Sequence, residues 1–429
     1  MSRCNLLKNG VWINQAFEID YCCEVTDDGY RRPVFTDFPS FLKYREPLYE
    51  ESKTKWIRGC EGCKHNEKLV GTSLRTVSNE STESATWEPY KPISEDDYYI
   101  HHAILNLSNT CNLACRMCDS GSSTKWQSYI RSAPSQRQYN ITEISELSEQ
   151  DQDWVDKTGG MNDDNIVENG PKEFIPALCG QTEINEEQYE ELKKYVLTPH
   201  LRKLVFGGGE PTQIKLYLKI LNYLIENDYA KNIKLHIHTN GTKNMSDEWR
   251  NILEPFKQVE IVYSIDGTES NYEYIRTDSN WEVVSENIQS TADYYQNNNK
   301  LGKEITMGVA YCFQALNAHR FKSDKEYFEN NLTKDFHYQT VFFPPHLSLQ
   351  VVHPELRKKY GIEVECEDIK YDEKLARKFI ASQRWMDGTF QSNTLKEQNP
   401  DFFNPVLYPF AEAIYAGTDD WNQDPNAFT

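Results

Sequence analysis

Three cysteines in a short span carry the clearest chemistry in this chain. The stretch SNTCNLACRMCDSGSS, residues 108–123, spaces Cys111, Cys115 and Cys118 as C-x3-C-x2-C. An iron–sulfur cubane takes four ligands, usually thiolates, so a loop offering three leaves one iron open to bind something else. Metal binding deprotonates a thiol outright, and the loop therefore needs only geometry to supply its ligands. A three-cysteine zinc site completed by a distant fourth ligand is the alternative that this spacing leaves open.

A second group lies upstream: Cys4, the adjacent Cys22 and Cys23, and Cys60-x2-Cys63. Four thiolates from three points of the chain could close a site completely, as iron–sulfur or as structural zinc. A filled four-thiolate site would serve electron transfer or structural support, whereas a three-thiolate variant would keep an open iron for substrate. Cys179, Cys312 and Cys366 stand alone, and a lone cysteine reads as a small apolar residue without chemistry. His236 and His238 alternate on one strand and, like His101 and His102, read as packed or capped residues rather than ligands.

The whole chain bounds these readings. Its 429 residues include 11 cysteines, and 46 Lys and Arg against 66 Asp and Glu give a formal charge of −20. With 38% hydrophobic residues it can bury a large core, which excludes wholesale disorder. No run approaches the ~18 apolar residues of a membrane span, and the opening MSRCNLLKNGVW lacks the apolar stretch of a signal peptide. The expectation is a cytoplasmic protein without membrane attachment, in which thiols stay reduced and clustered cysteines mean metal rather than disulfides. The acidic balance disfavours extended nucleic-acid binding, which calls for a basic face.

The elements that must position the cysteines follow from periodicity. Short apolar runs occur as HHAILNLS at 101–108, KLVFGGGEP at 203–211, IKLHIHTNGT at 233–242, VEIVYSIDG at 259–267, ITMGVAYCF at 305–313 and FHYQTVFFP at 336–344. Between them lie helical patterns such as IKLYLKILNYLIEND and NWEVVSENIQSTADYYQN, with apolar residues recurring at three and four. Strand and helix in alternation predict an α/β fold with a parallel sheet, here a partial (β/α)6 TIM-like barrel whose working residues sit at the carboxyl ends of the strands. The expected organisation is a cysteine-rich module over 1–77, a polar linker over 78–97, the barrel over 98–350 and a helical extension over 351–429. A polar insertion, Pro134 to Gly180, is too long for an ordinary connection and reads as a lid or a partly disordered segment.

The cysteine triplet after the first strand resembles that of the radical S-adenosylmethionine (AdoMet) superfamily. The resemblance implies a 4Fe-4S cluster whose open iron is chelated by the amino and carboxylate groups of AdoMet, with Met117 packing beside the adenine. FGGGEPT is similar to the superfamily's GGE motif: Gly208 and Gly209 let the backbone approach the ligand, and Glu210 would pair with the AdoMet ammonium. HTNGT and YSIDG place Thr239, Asn240, Ser264 and Asp266 at the next two strand ends. By the resemblance they face AdoMet, Ser264 and Asp266 bonding its ribose or carboxylate, with Arg276 near the pocket and Asn317 a further candidate. The upstream cysteines resemble the auxiliary-cluster modules called SPASM and twitch domains, placed here before the barrel. Such a module would hold a second 4Fe-4S cluster on Cys4, Cys22, Cys60 and Cys63, with Cys23 the alternative to Cys22.

The implied activity is reductive cleavage of AdoMet to a 5'-deoxyadenosyl radical that abstracts hydrogen from a substrate. No residue is assigned to the substrate chemistry itself. Modules of this type point to a peptide or protein substrate, with a small molecule such as a sugar or nucleotide precursor as the alternative. The electron donor would be a flavodoxin or ferredoxin. A zinc-organised scaffold or a non-catalytic iron–sulfur carrier would use the same cysteines without AdoMet.

Overall fold

The computed structural model describes residues 4–22, 33–60, 63–64, 67, 71, 73–83, 99–119, 121–132, 183–333, 335–341, 345–362, 369–390 and 393–418. Cys23, Cys179, Cys366, the insertion Pro134 to Gly180 and most of the linker lie outside the described residues. The chain divides into two compact units, one of Met1–Asn109, Gln181–His238 and Ser246–Ile261, the other of Thr110–Gly180, Thr239–Met245 and Val262–Thr429.

Ten strands are found among the described residues: β1 Gly10–Asn14, β2 Ile19–Asp20, β3 His102–Asn106, β4 Ala114–Cys115, β5 Lys203–Phe206, β6 Lys234–Thr239, β7 Gln258–Ser264, β8 Arg276–Thr277, β9 Ile305–Phe313 and β10 Phe336–Thr340. Eight belong to one mostly parallel sheet, so the fold is mixed α/β as expected, while β4 and β8 form a separate pair. Each of the six apolar runs supplies one strand: β3, β5, β6, β7, β9 and β10.

In the first unit β1, β3, β5 and β6 run parallel in that order, and β2 pairs antiparallel with the outer edge of β1. Alternation decides their faces: Val11, Ile13, Ala103, Leu105, Leu204, Phe206, Leu235 and Ile237 are all buried on one side. The helix Lys215–Glu226 lays Leu216, Tyr217, Ile220, Leu221 and Leu224 inward, the three-and-four spacing of an apolar stripe. Its Tyr217 ring stacks on Phe206 with centroids 4.1 Å apart. The Tyr217 hydroxyl accepts from Leu107 N–H at 3.1 Å and lies 2.7 Å from the Gly207 carbonyl, which ties the ends of β3 and β5 together.

β1 was not anticipated from the sequence. Its residues, GVWIN, continue the parallel sheet beyond β3 in the register Gly10↔His102 to Asn14↔Asn106. Gly10 is required there, because a Cβ would lie 2.6 Å from the Leu6 carbonyl oxygen. The fully buried Arg45, from the helix Phe38–Ser52, donates to the Gly10 carbonyl at 2.8 Å.

In the second unit β9 and β10 run parallel from Val309↔Phe336 to Phe313↔Thr340. Its helices include Thr124–Ser132, Glu269–Ile275, Trp281–Asn297, Phe321–Asn331 and Glu373–Phe390. The last buries Ala376, Phe379, Ile380, Gln383, Met386, Asp387 and Phe390. Among the described residues no helix is long and apolar enough to cross a membrane.

Candidate active site

The loop that carries the three cysteines is held from several directions. β4 pairs with β8 antiparallel, which sets Cys115 opposite Arg276 and Ala114 opposite Thr277. Arg116 N–H donates to the Ile275 carbonyl at 2.8 Å, and Cys118 N–H to the Cys115 carbonyl at 2.9 Å. Trp126 Nε1 donates to that same Cys115 carbonyl at 2.8 Å, and Ser123 Oγ to the Leu113 carbonyl at 2.6 Å. Trp126 packs with Ala114, Met386 and Phe390, and Cys118 lies against this apolar cluster. These bonds tie the loop to its own backbone and to β8 and Trp126.

Cys115 is buried, and Cys111 and Cys118 are half-buried. Burial pushes the Cys115 thiol up to about 12 and the Cys118 thiol well above its ordinary value. Cys111 acts in the same direction on both, and Cys115 on Cys118, so the three sulfurs face one another electrostatically. Such a trio cannot hold three negative charges alone; a bound cation must compensate them, which couples metal binding to deprotonation. Among the described residues no three His, Cys, Asp or Glu side chains converge on the position of a single ion. Three cysteine sulfurs on one loop are the soft donors that an iron–sulfur cluster takes, so the chemistry of the donor set suits one.

Two of the three sulfurs are met by a side-chain N–H. Asn240 Nδ2 lies 3.8 Å from Cys111 Sγ, and Arg276 Nη1 lies 3.8 Å from Cys115 Sγ. Asn240 also donates to Asn112 Oδ1 at 3.1 Å, while its own Oδ1 accepts from Thr242 N–H at 3.0 Å and Thr242 Oγ1 at 2.7 Å. The HTNGT stretch therefore braces the cysteine loop. Thr239 is buried, and its Oγ1 accepts from Gly241 N–H at 3.2 Å.

Asp266 and Arg276 form an ion pair at 2.7 Å, with side chains 0% and 9% exposed. Asp266 Oδ1 accepts from Cys312 N–H at 2.7 Å. Asn317 donates to the carbonyls of Asp266 at 3.0 Å and Cys312 at 2.8 Å, which makes it a brace. Burial, then Asp266, pushes the Cys312 thiol up to about 12, and Cys115 adds to the shift. The structure thus brings Cys312 beside residues from which no sequence spacing could separate it as special. Ser264, at the end of β7, and Met117, between the second and third cysteines, are half-buried.

Arg116 is the residue that sequence reading missed. Its Nε donates to the Tyr274 carbonyl at 2.7 Å, Nη1 to Gln383 Oε1 at 3.0 Å, and its guanidinium lies 3.7 Å from the Tyr274 ring centre. Its position inside the cysteine triplet was visible; its partners, far along the chain, were not.

In the first unit, GGGEP forms the turn after β5. A Cβ on Gly207 would sit 2.6 Å from Asn106 Oδ1, and one on Gly208, whose φ is +67°, 2.9 Å from Asn106 Cα. The turn is glycine because it lies directly on the end of β3. Gly209 has φ +50°. Glu210 is buried, and its Oε1 accepts from Thr212 N–H at 3.1 Å and Thr212 Oγ1 at 2.6 Å, capping the turn Pro211–Gln213.

His236 and His238 are in contact: their Nε2 atoms lie 3.0 Å apart, and His236 Nδ1 lies 3.0 Å from Glu260 Oε2. Lys234 pairs with the same carboxylate at 3.1 Å. The hydrogen bond from His236, aided by Lys234, holds Glu260 well below the usual carboxylate range. Burial pushes His238 down to about 4.

Of the amino-terminal cysteines, Cys4 and Cys63 are buried and Cys22 and Cys60 half-buried. Burial raises the Cys4 thiol, and Cys63 is close enough to raise it further. Cys4 and Cys63 therefore lie within electrostatic reach of each other. Arg75, near Cys4, is fixed by Glu67 at 2.8 Å and lies over the Trp56 ring at 4.9 Å.

No protein-family model matches the chain, and no curated protein matches it. It is similar to solved structures. Native anSMEcpe with bound AdoMet is 17% identical, with 68% of this chain and 62% of that one covered and a TM-score of 0.36. The same protein with AdoMet and the Cp18Cys peptide is 18% identical over 50% of this chain and 55% of that one, with a TM-score of 0.31. Streptococcus suis SuiB bound to its precursor peptide SuiA is 14% identical over 84% and 64%, with a TM-score of 0.33. The chain accordingly spans less than two thirds of the length of each of these proteins.

Proposed function

We propose that this chain is a radical AdoMet enzyme. The observation that carries the reading is the braced loop on which Cys111, Cys115 and Cys118 face one another, with N–H donors from Asn240 and Arg276 at two of the sulfurs. When bound, a 4Fe-4S cluster and AdoMet supply one electron to the sulfonium and a 5'-deoxyadenosyl radical that takes hydrogen from substrate.

The chain's own work is holding, orienting and excluding water. The three thiolates would hold the cluster, and the ligand position they do not fill would be available to AdoMet. Gly208, Gly209 and Glu210 would supply, by their motif, a turn without side chains and a carboxylate suited to the AdoMet ammonium. Met117, Thr239 and Ser264 complete the AdoMet-facing set. Cys4, Cys22, Cys60 and Cys63 hold a second 4Fe-4S cluster that passes electrons or supports the fold. The substrate is a peptide or protein, and the charge of −20 suits a basic partner. A flavodoxin or ferredoxin supplies the electron.

Reduced, reconstituted protein incubated with AdoMet should form 5'-deoxyadenosine, detected by mass spectrometry, and Cys115→Ala should form none. Absence of the product from the wild type, or equal product from the variant, refutes the reading. Anaerobic purification that yields zinc and no iron would establish the scaffold alternative.

A further inference from the structure

We propose that Asp266 and Arg276 form an electrostatic control on the reduction potential of the cysteine-loop cluster, Arg276 raising it through Cys115 and Asp266 offsetting that effect from the other side. The inference rests on the cluster reading above, and deepens it by giving the pair a role at the ligand sulfur.

The geometry is specific. β4 and β8 pair so that Cys115 and Arg276 are direct neighbours across the ladder. One arm of the guanidinium, Nη1, reaches Cys115 Sγ at 3.8 Å, and the other, Nη2, reaches Asp266 Oδ2 at 2.7 Å. A planar fork with fixed charge is suited to bridge a thiolate and a carboxylate in this way. Asp266 is itself anchored by Cys312 N–H at 2.7 Å, and Asn317 holds the Asp266 carbonyl at 3.0 Å. Cys115, Arg276, Asp266 and Asn317 are all buried, where charges are weakly screened and act strongly on one another.

Hydrogen bonds to the sulfurs, net charge and solvent exposure set iron–sulfur potentials. A cationic donor at Cys115 withdraws electron density from the ligand and favours the reduced cluster; a nearby carboxylate does the opposite. Asn240, at Cys111, is a neutral donor at the same distance and marks what a hydrogen bond does without a charge.

This separates control of the potential from a merely structural ion pair. Breaking a structural pair from either side gives the same kind of damage, whereas an electrostatic control gives shifts of opposite sign. The test is an EPR-monitored redox titration of the reconstituted cluster without AdoMet, after iron and sulfide per chain are matched to wild type.

Arg276→Gln is expected to make one-electron reduction about tenfold less favourable, a fall of about 59 mV. Asp266→Asn should raise the potential. Arg276→Lys, which keeps the charge, should move it less than Arg276→Gln, and Asn240→Ala should lower it by less again. Shifts of the same sign in the Asp266 and Arg276 variants, or no shift in either, overturn the proposal. Should Arg276→Gln fail to retain cluster, Asp266→Asn and Arg276→Lys decide it: the proposal stands only if Asp266→Asn raises the potential. A wild type that carries no iron–sulfur cluster refutes the cluster reading instead, and that outcome is visible before any titration begins.

Discussion

Arg116 and Asp387 form an ion pair at 2.7 Å with side chains 0% and 6% exposed, joining the middle of the cysteine triplet to the helix Glu373–Phe390. Asp387 Oδ2 in turn accepts from Leu395 N–H at 2.9 Å and from the Tyr415 hydroxyl. The cysteine loop is thus clamped by the carboxyl-terminal helices through one guanidinium. Removing one partner strands the other as a buried charge, which costs about 3–5 kcal/mol. Arg116→Met and Asp387→Ala should each lower the free energy of unfolding by that amount, read as a lower urea midpoint at unchanged slope, and reduce the iron retained after reconstitution. An unchanged midpoint in both would show that the pair does not hold the loop.

Gly208→Ala should be markedly destabilising, because a positive φ costs a side-chain-bearing residue about 1–3 kcal/mol and the new Cβ would also press on Asn106 at 2.9 Å. Gly302 is the control: its φ is +79°, and a Cβ there meets nothing within 4 Å. Gly302→Ala should therefore lower Tm by less than Gly208→Ala, as read by thermal melts. Equal losses would mean that the packing of the turn on β3 adds nothing.

Joint replacement of Cys60 and Cys63 by Ala should remove about four iron atoms per chain if the amino-terminal module holds a 4Fe-4S cluster. Iron quantified after anaerobic reconstitution gives the answer directly. Unchanged iron would rule out a cluster on those residues and leave the cysteine-loop site untouched.

Acid should destabilise the protein through buried histidines. Burial depresses His319 to about 4 and His346 to about 3, from an ordinary 6.5. Asn399 Nδ2 lies 3.1 Å from His319 Nδ1, a contact that suits a neutral ring accepting at that nitrogen. Below pH 6.5 the unfolded chain binds protons that the folded one refuses, so stability present above 6.5 is lost as the pH falls toward the folded values. Each histidine contributes on the order of 1–2 kcal/mol of this loss by pH 5. His346→Leu should flatten the fall in Tm between pH 7 and pH 5, and an equally steep fall would exclude His346 as a source.

What could be read in the residues alone is what local spacing encodes. The six strands were legible because a two-residue alternation or a short apolar run bounded by glycine turns is a property of contiguous residues. The C-x3-C-x2-C loop was legible for the same reason. β1 escaped because GVWIN is short and becomes a strand only by lying against His102–Asn106, some 90 residues on.

The surroundings of the loop were decided by tertiary structure. Arg116 finds Asp387, Arg276 finds Cys115 and Asp266, and Cys312 enters the same environment from β9. Charge, burial and donor direction at a sulfur depend on which distant segments close around it, and a chain lists its residues in order without saying which of them will exclude water together. Sequence by itself determined that three thiols would share one loop; only the folded chain decided that one of them would sit beside a guanidinium and that the loop would be held by a helix 270 residues away.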